Sequence, residues 1–184
     1  MSSRLEELVQ LLALEKLEEN LFRGQSQDLG WGAVYGGQVL GQALSAAAQT
    51  VPAERPVHSF HAYFLKMGDV KRPIVYDVDR IRDGGSFTTR RVVAIQGGEA
   101  IFNLAASFQK VEAGFEHQDV MPLAPSPDSL ISENERLRPY QDRVPSWLRD
   151  EVLAERPFEM KSAEPTDDPL APVARPPHRM IWLR

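Results

Sequence analysis

The sequence contains no cysteine among its 184 residues. That absence excludes a disulfide, a thiolate zinc site and a cysteine nucleophile, and it is compatible with a reducing, cytoplasmic location. A basic surplus is missing too, since 21 Lys and Arg face 26 Asp and Glu for a net charge of -5. General nucleic-acid binders normally carry such a surplus, so we expect no nucleic-acid partner.

A membrane span is not expected either, although residues 29–53 contain no Asp, Glu, Lys or Arg. A stretch of this length could cross a bilayer. Glycine, glutamine and hydroxyl residues interrupt it throughout, however, and its apolar residues are mostly alanine. No secretory signal is visible, because Glu6 and Glu7 follow Arg4 and no apolar block comes after them.

Glycine and proline divide the chain. All 12 glycines lie at or before Gly114, whereas 11 of the 14 prolines lie at or after Pro122. Proline lacks an amide donor and restricts the residue before it, so the later part cannot begin as a central strand or helix interior. We therefore predict an N-terminal domain over 1–118, a proline-rich linker with short helices over 119–155, and the start of a second domain over 156–184.

The uncharged stretch contains a helix that we predict to be buried. Gly36-Gly37 opens it, residues 38–50 are rich in Ala, Leu and Gln, and Val51-Pro52 ends it. A helix without a charged face is usually covered on all sides. Its many small residues would let a sheet approach closely. A separate amphipathic helix is predicted to open the chain at Ser3, where Glu6 completes a capping box.

Four strands are predicted after the uncharged helix: Val57–Lys66, Pro73–Arg82, Phe87–Gln96 and Ala100–Lys110. Short glycine turns join the last three into an antiparallel meander, and the uncharged helix is the element suited to cover one face. The predicted fold is therefore α+β of the hotdog type, a curved antiparallel sheet wrapped around a central helix. A lipocalin-like barrel is the main alternative, but it has no early internal helix.

The later segment has weaker patterns. Short helices are predicted over 132–138 and 145–155, and strands over 157–163 and 179–184. The last of these strands is hydrophobic and is expected to have no partner in the rest of the chain. We interpret it as the start of an incomplete second sheet, which favours association of copies.

The histidines were considered as catalytic or metal-binding residues. His58 and His61 are three apart in a predicted strand and should point to opposite faces, so they are not expected to hold one metal ion, and no metal site is expected. The apolar residues Phe60, Ala62 and Phe64 would share the face of His58. Such neighbours can shift a pKa, which makes His58 a candidate catalytic base. A structural role is the alternative for both histidines.

Two further groups of residues suggest binding. Gly36, Gly37 and Gln38 begin a helix, where free N–H groups and the helix dipole can bind an anion or polarise a carbonyl; a simple tight turn is the alternative. Arg82, Arg90 and Arg91 form a basic cluster in an acidic protein, suited to a phosphate-bearing ligand or to a solvated edge. Because adjacent strand residues face opposite ways, only one of Arg90 and Arg91 can line a given groove.

Several segments of the sequence, in this order, resemble the acyl-CoA thioesterase II family. They are Leu21–Ser26, Tyr35–Ala43, Val57–Leu65, Arg82–Phe87 with Arg90-Arg91, Ala105–Gln109 and Gly114–Gln118. The resemblance extends from Leu5 to Arg184. It implies two hotdog domains in one chain and hydrolysis of fatty acyl-CoA to free fatty acid and coenzyme A, without a metal or other cofactor.

The resemblance also implies where the catalytic groups lie. The family's Asp, Thr or Ser, and Gln belong to the second domain, beyond Arg184, so this chain alone is expected to be inactive. The expected substrate-binding residues are Gly36, Gly37, Gln38, Arg82, Ser86, Arg90 and Arg91. The alternative function is a non-catalytic acyl-CoA or acyl-chain binding module, or a dimerisation module, and a homo-oligomer is expected.

Overall fold

The computed structural model describes residues 3–146, 149, 153–164, 168, 171 and 173–184. Its contacts divide the chain into two compact units, of which the larger comprises residues 7–115. The candidate site lies in this larger unit.

The larger unit is built around one antiparallel sheet and one long helix. Its elements are α1 (Ser3–Leu12, which opens the chain), β1 (Glu15–Glu18), β2 (Leu21–Gly24), α2 (Gly36–Ala48), β3 (Val57–Phe64), β4 (Ile74–Asp83), β5 (Phe87–Gln96) and β6 (Glu99–Gln109). The six strands lie in the order β1-β2-β4-β5-β6-β3. The meander of β4, β5 and β6 is therefore confirmed, and β3 adds to it as an edge strand paired with β6.

The core lies between α2 and one face of the sheet. Ala43, Ala46 and Ala47 of α2 are fully buried, and Val39 is nearly so. They belong to one hydrophobic cluster with inward-facing side chains of five strands, among them Phe22, Ile74, Tyr76, Val92, Phe102 and Leu104. The alanines allow the backbone of α2 to approach the sheet closely. The predicted hotdog architecture, with the uncharged helix as its centre, is confirmed.

The hairpin of β1 and β2 was not predicted. Each strand has only four residues, too few for a period of two to be recognised. The hairpin extends the sheet beyond β4, where Phe22 lies opposite Tyr76. Its turn is held to the neighbouring strand because the N–H of Val78 donates to the carbonyl of Asn20 over 2.8 Å. Phe22 thereby becomes a fully buried core residue.

The smaller unit contains a short helix and a second sheet. The helix, α3 (Glu133–Leu137), begins with a capping box between Ser132 and Glu135. The sheet consists of β7 (Met160–Ser162) and β8 (Ile181–Leu183), paired antiparallel. The expectation that the last strand lacks a partner was therefore wrong, because the sequence pattern did not reveal which segment it pairs with. The helix predicted over 145–155 falls partly outside the described residues, which leave out 147, 148 and 150–152.

Candidate functional site

The N-terminus of α2 presents two backbone donors. Gly36 and Gly37 open the helix after Tyr35, whose side chain provides no cap. Among the described residues, no acceptor takes the N–H of either glycine, as is usual for the first turn of a helix. These donors lie at the positive end of the helix dipole. The arrangement can hold an anion or polarise a carbonyl oxygen.

Aromatic rings border this helix start. A Cβ added at Gly36 would lie 2.9 Å from the ring of Phe64, and one at Gly37 would lie 2.4 Å from the ring of Tyr35. Phe64 is 60% exposed and Tyr35 is 59% exposed. The glycines therefore allow two aromatic rings to approach the helix backbone, and the two donors are next to exposed apolar surface.

The side chain of Gln38 forms its hydrogen bonds in the interior of the protein. Its side chain is buried, its Nε2 donates to the carbonyl of Gln25 over 2.9 Å, and its Oε1 accepts from the N–H of Gln27 over 3.1 Å. The amide thus fastens the segment that precedes α2 to the first turn of the helix. Gln38 positions this segment, and its side-chain amide is already engaged.

One turn later, Gln42 joins the same network. Its Nε2 donates to the carbonyls of Leu11 and Gln25 over 2.7 and 2.9 Å. Its Oε1 accepts from the hydroxyl of Tyr76 over 2.7 Å. Burial raises the pKa of the Tyr76 phenol well above its ordinary value, so the phenol stays a neutral donor. No local pattern in the sequence indicates the partner of this hydroxyl, because Gln42 lies 34 residues earlier in the chain.

The predicted basic cluster separates in the structure. Arg90 faces inward and is 1% exposed. Its five N–H groups donate to the hydroxyl and carbonyl of Thr50, the carbonyls of Arg82 and Thr89, and the carboxylate of Asp83. All of its donors are therefore used within the protein, where they hold the β4–β5 hairpin to the C-terminal end of α2.

Arg91 points the other way. Its guanidinium lies 3.0 Å from the carboxylate of Asp79 on the exposed surface. The prediction that only one of the two adjacent arginines lines a given face is confirmed. Arg82 is exposed in the same hairpin, and Ser86 donates to the carboxylate of Glu112 over 3.1 Å.

His58 lies on the outer face of the sheet, opposite α2. A register shift at β3 falls between Val57 and Ser59. The Nε2 of His58 lies 2.8 Å from Oγ of Ser107, whose neighbours along β6 point into the core. The prediction that His58 shares a face with Phe60 and the other core-facing residues of β3 was wrong, because a bulge re-aims the side chain and interrupts the alternation.

His61 shares the outer face with His58, since it lies opposite the exposed Ala105, so the prediction that the two histidines point to opposite faces was wrong. Within the described part of the chain, no group of three or more His, Asp or Glu side chains is placed to hold a metal ion. The described helices include none long and apolar enough to cross a membrane.

A long helix packed against one face of an antiparallel sheet with this strand order is the arrangement that defines the hotdog class of proteins. A solved protein from Alicyclobacillus acidocaldarius with a hot dog fold matches 86% of this chain and 55% of its own. The TM-score is 0.64 at 18% identity, a likeness that concerns the fold alone.

Three closer similarities are to acyl-CoA thioesterases. Residues 26–109 match the sequence model of the acyl-CoA thioesterase N-terminal domain. Acyl-CoA thioesterase 2 of Haemophilus influenzae is 44% identical over 184 residues, which are 100% of this chain and 64% of that protein. The solved acyl-CoA thioesterase II TesB2 of Mycobacterium marinum is 36% identical, with a TM-score of 0.69, over 96% of this chain and 59% of its own. Over its whole length the chain is similar to acyl-CoA thioesterases, and it spans less than two thirds of the length of these relatives.

Proposed function

We propose that this chain is part of an enzyme that hydrolyses the thioester of fatty acyl-CoA, releasing free fatty acid and coenzyme A. The observation that carries the proposal is the 44% identity to an acyl-CoA thioesterase over all 184 residues. We also propose that the enzyme is cytoplasmic and needs no metal or other cofactor. The proposal also includes the division into a domain over 1–118, a linker over 119–155 and the start of a second hotdog domain over 156–184.

In this proposal, the N–H groups of Gly36 and Gly37 stabilise negative charge on the thioester carbonyl oxygen as water attacks. Donors that already point to where charge develops need no reorganisation during the reaction. The neighbouring rings of Tyr35 and Phe64 provide apolar surface for the acyl chain. Gln38 contributes by fixing the segment that leads into the helix.

The phosphates of coenzyme A are assigned to the β4–β5 hairpin. Arg82 and Arg91 are exposed there, and Ser86 lies at the same turn. Arg90 supports the hairpin from inside, because its donors are all engaged. Guanidinium groups suit phosphate because they offer paired N–H donors in one plane.

Thiol release from acyl-CoA tests the proposal. In this proposal, the catalytic Asp, Thr or Ser, and Gln lie outside these 184 residues. We therefore expect the polypeptide by itself to turn over acyl-CoA at least about a hundredfold more slowly than the Haemophilus influenzae relative, since general base catalysis contributes about 10²–10⁴-fold. Comparable turnover by the two proteins would refute this part of the proposal.

His58 is the candidate base within the chain. Its imidazole is exposed and bonded to Ser107, on the sheet face opposite α2. If it takes part in the chemistry, His58→Asn lowers any residual turnover by about a hundredfold, in the range known for acid–base groups. Equal rates for this variant and the unchanged chain would leave His58 with a structural role alone.

A second candidate function is association with another copy or domain, with or without acyl-CoA binding. The observation in its favour is the edge strand β3, which no described strand covers on its free side. Phe60, Tyr63 and Phe64 of this strand are 47%, 59% and 60% exposed. Unpaired edges recruit strands, so we expect a homo-oligomer. A monomer at every concentration tested by light scattering would contradict it.

A further inference from the structure

A cavity of about 500 Å³ lies at the end of α2 opposite the candidate active site. The segment from Gln49 to Arg55 forms one side, and the β4–β5 hairpin forms the other. Three arginines line it, namely Arg55, Arg80 and Arg90, whereas Asp83 is the one carboxylate among the described lining residues. The cavity is therefore cationic, although the whole chain has a net charge of -5.

Arg55 carries the charge that is not neutralised. Its Nη1 donates to the carbonyl of Gly84 and the hydroxyl of Thr88, and its Nη2 donates to the carbonyl of Gly85. Within the described residues, no carboxylate forms an ion pair with it, unlike Arg90 and its partner Asp83. Its Nε is buried and has no described acceptor. A guanidinium has five N–H donors, and two of those of Arg55 have no described acceptor; one is the buried Nε, so a single N–H of Nη2 is left for a ligand in the cavity.

Arg80 adds donors to the same cavity. Its Nε donates to Oδ1 of Asn20 over 2.8 Å, and its Nη2 lies 3.0 Å from the carboxylate of Glu19. Its Nη1 has no described acceptor. Arg80 and Arg55 come from different segments of the chain, and both line the cavity.

The carbonyls at the end of α2 already accept hydrogen bonds. The carbonyl of Ala47 accepts from the N–H and the hydroxyl of Thr50. The carbonyl of Ala48 accepts from Val51, and that of Thr50 accepts from Arg90. The negative end of the helix is thus already satisfied by local donors and by one buried cation, and the charge of Arg55 remains available.

We propose that this cavity binds the phosphate group of a small molecule through Arg55 and Arg80. Planar guanidinium donors match phosphate oxygens in pairs, and such charge-assisted bonds are the strong class of hydrogen bonds. The site requires no hydrolysis and stands apart from the donors of Gly36 and Gly37. The source is either the 3′-phosphate of coenzyme A, whose diphosphate stays assigned to the β4–β5 hairpin, or a free phosphate compound; in the first case the inference rests on the proposed function.

Calorimetric titration of the full chain with two probes tests this proposal. Adenosine 3′,5′-bisphosphate and inorganic phosphate are titrated separately at low ionic strength. We expect saturable binding of at least one probe, weakened about tenfold or more in Arg55→Gln and in Arg80→Gln, as the loss of a charge-assisted hydrogen bond predicts. Tighter binding of the bisphosphate identifies the nucleotide of coenzyme A as the source, and equal binding identifies free phosphate.

Arg72→Gln is the matched control. It removes the same charge from an exposed arginine whose partner is Asp69, outside the lining of the cavity. If Arg55→Gln fails to fold, the proposal is tested with Arg80→Gln and with Arg55→Lys, which keeps the positive charge. We expect Arg55→Lys to retain part of the affinity for the probe. The proposal is overturned if neither probe binds, or if Arg72→Gln weakens binding as much as the cavity variants do. Thiol release is measured separately, so failure of this site and failure of the proposed hydrolysis are distinguishable.

Discussion

The hydroxyl of Tyr76 donates a 2.7 Å hydrogen bond to Oε1 of Gln42, and both side chains are fully buried. This bond joins β4 to α2 through the core. The amide nitrogen of the same glutamine donates hydrogen bonds to the carbonyls of Leu11 and Gln25. One side chain therefore connects the sheet, the central helix, the end of α1 and the segment before the candidate site.

Replacing Tyr76 by phenylalanine should destabilise the fold. The variant leaves Oε1 of Gln42 buried without its main donor, which costs about 1–3 kcal/mol. We expect the free energy of unfolding, measured by urea denaturation, to fall by this amount. Tyr63→Phe is the control: Tyr63 is 59% exposed, and the change should alter the free energy by less than about 0.5 kcal/mol. Equal effects of the two variants would contradict the role of the buried bond.

The same phenol predicts a dependence on alkaline pH. Burial raises the pKa of Tyr76 in the folded state above the ordinary value of 10.0. The folded state then holds its proton more tightly than the unfolded state, so the contribution is complete below pH 10 and is lost as pH rises beyond it. The stability advantage of the unchanged protein over Tyr76→Phe should therefore shrink progressively as pH rises above about 10. Urea unfolding at several pH values measures it, and a constant difference would be evidence against the argument.

Gly24 is predicted to be intolerant of a side chain. A Cβ there would lie 2.7 Å from Cδ of Gln42, whose amide is fixed by its hydrogen bonds. Gly24→Ala should lower the free energy of unfolding by about 1–3 kcal/mol, as overpacking does. Gly85→Ala meets no atom within 4 Å and serves as the control. Adding Gln42→Ala to Gly24→Ala should make the glycine substitution less costly, and strict additivity of the two changes would count against a direct clash.

The adjacent residues Arg90 and Arg91 should contribute differently to the free energy of unfolding. Arg90→Gln leaves the buried hydroxyl and carbonyl of Thr50 without their donors, and we expect a loss of about 1–3 kcal/mol. Arg91→Gln breaks only an exposed pair with Asp79 and should cost less than about 1 kcal/mol. Thermal and chemical unfolding of the two variants compare them directly. Similar losses would show that burial does not govern the difference.

Lowering the pH should destabilise the sheet formed by β7 and β8. The N–H of Met180 and then the hydroxyl of Ser162, both bonded to the Glu164 carboxylate, lower the pKa of that group. Because the pKa of Glu164 is lower in the folded state than in the unfolded state, its stabilising effect is complete above about pH 4.5. The effect is lost as pH falls through the lowered pKa. The amide signal of Met180 should therefore titrate below that pH in NMR spectra. In Glu164→Gln it should not, and an identical titration would point to another group.

Sequence patterns were sufficient for the central features of the fold. The helix at 36–48 is uncharged and rich in alanine, and the strands after it alternate between apolar and polar residues. Both signals are local, so α2 and the meander were found within two residues of their ends. The short hairpin of β1 and β2 was missed because four residues are too few to show a period.

The candidate site was predicted only in part. Gly36-Gly37 signals a helix start in any sequence, and its unpaired donors follow from helix geometry. Arg55 could not be recognised, since a lone arginine before Pro56 has no distinctive spacing. Its partners, Gly84 and Gly85, come from a turn about 30 residues later, and only folding brings them together.

What the sequence by itself determined is thus the type and order of the main elements, because periodicity and composition act over a few neighbouring residues. The tertiary structure decided which side chains meet. A bulge placed His58 beside Ser107 on the outer face, register turned Arg90 inward, and β7 became the partner of β8. These outcomes depend on contacts between distant segments, whose free energies no local pattern records.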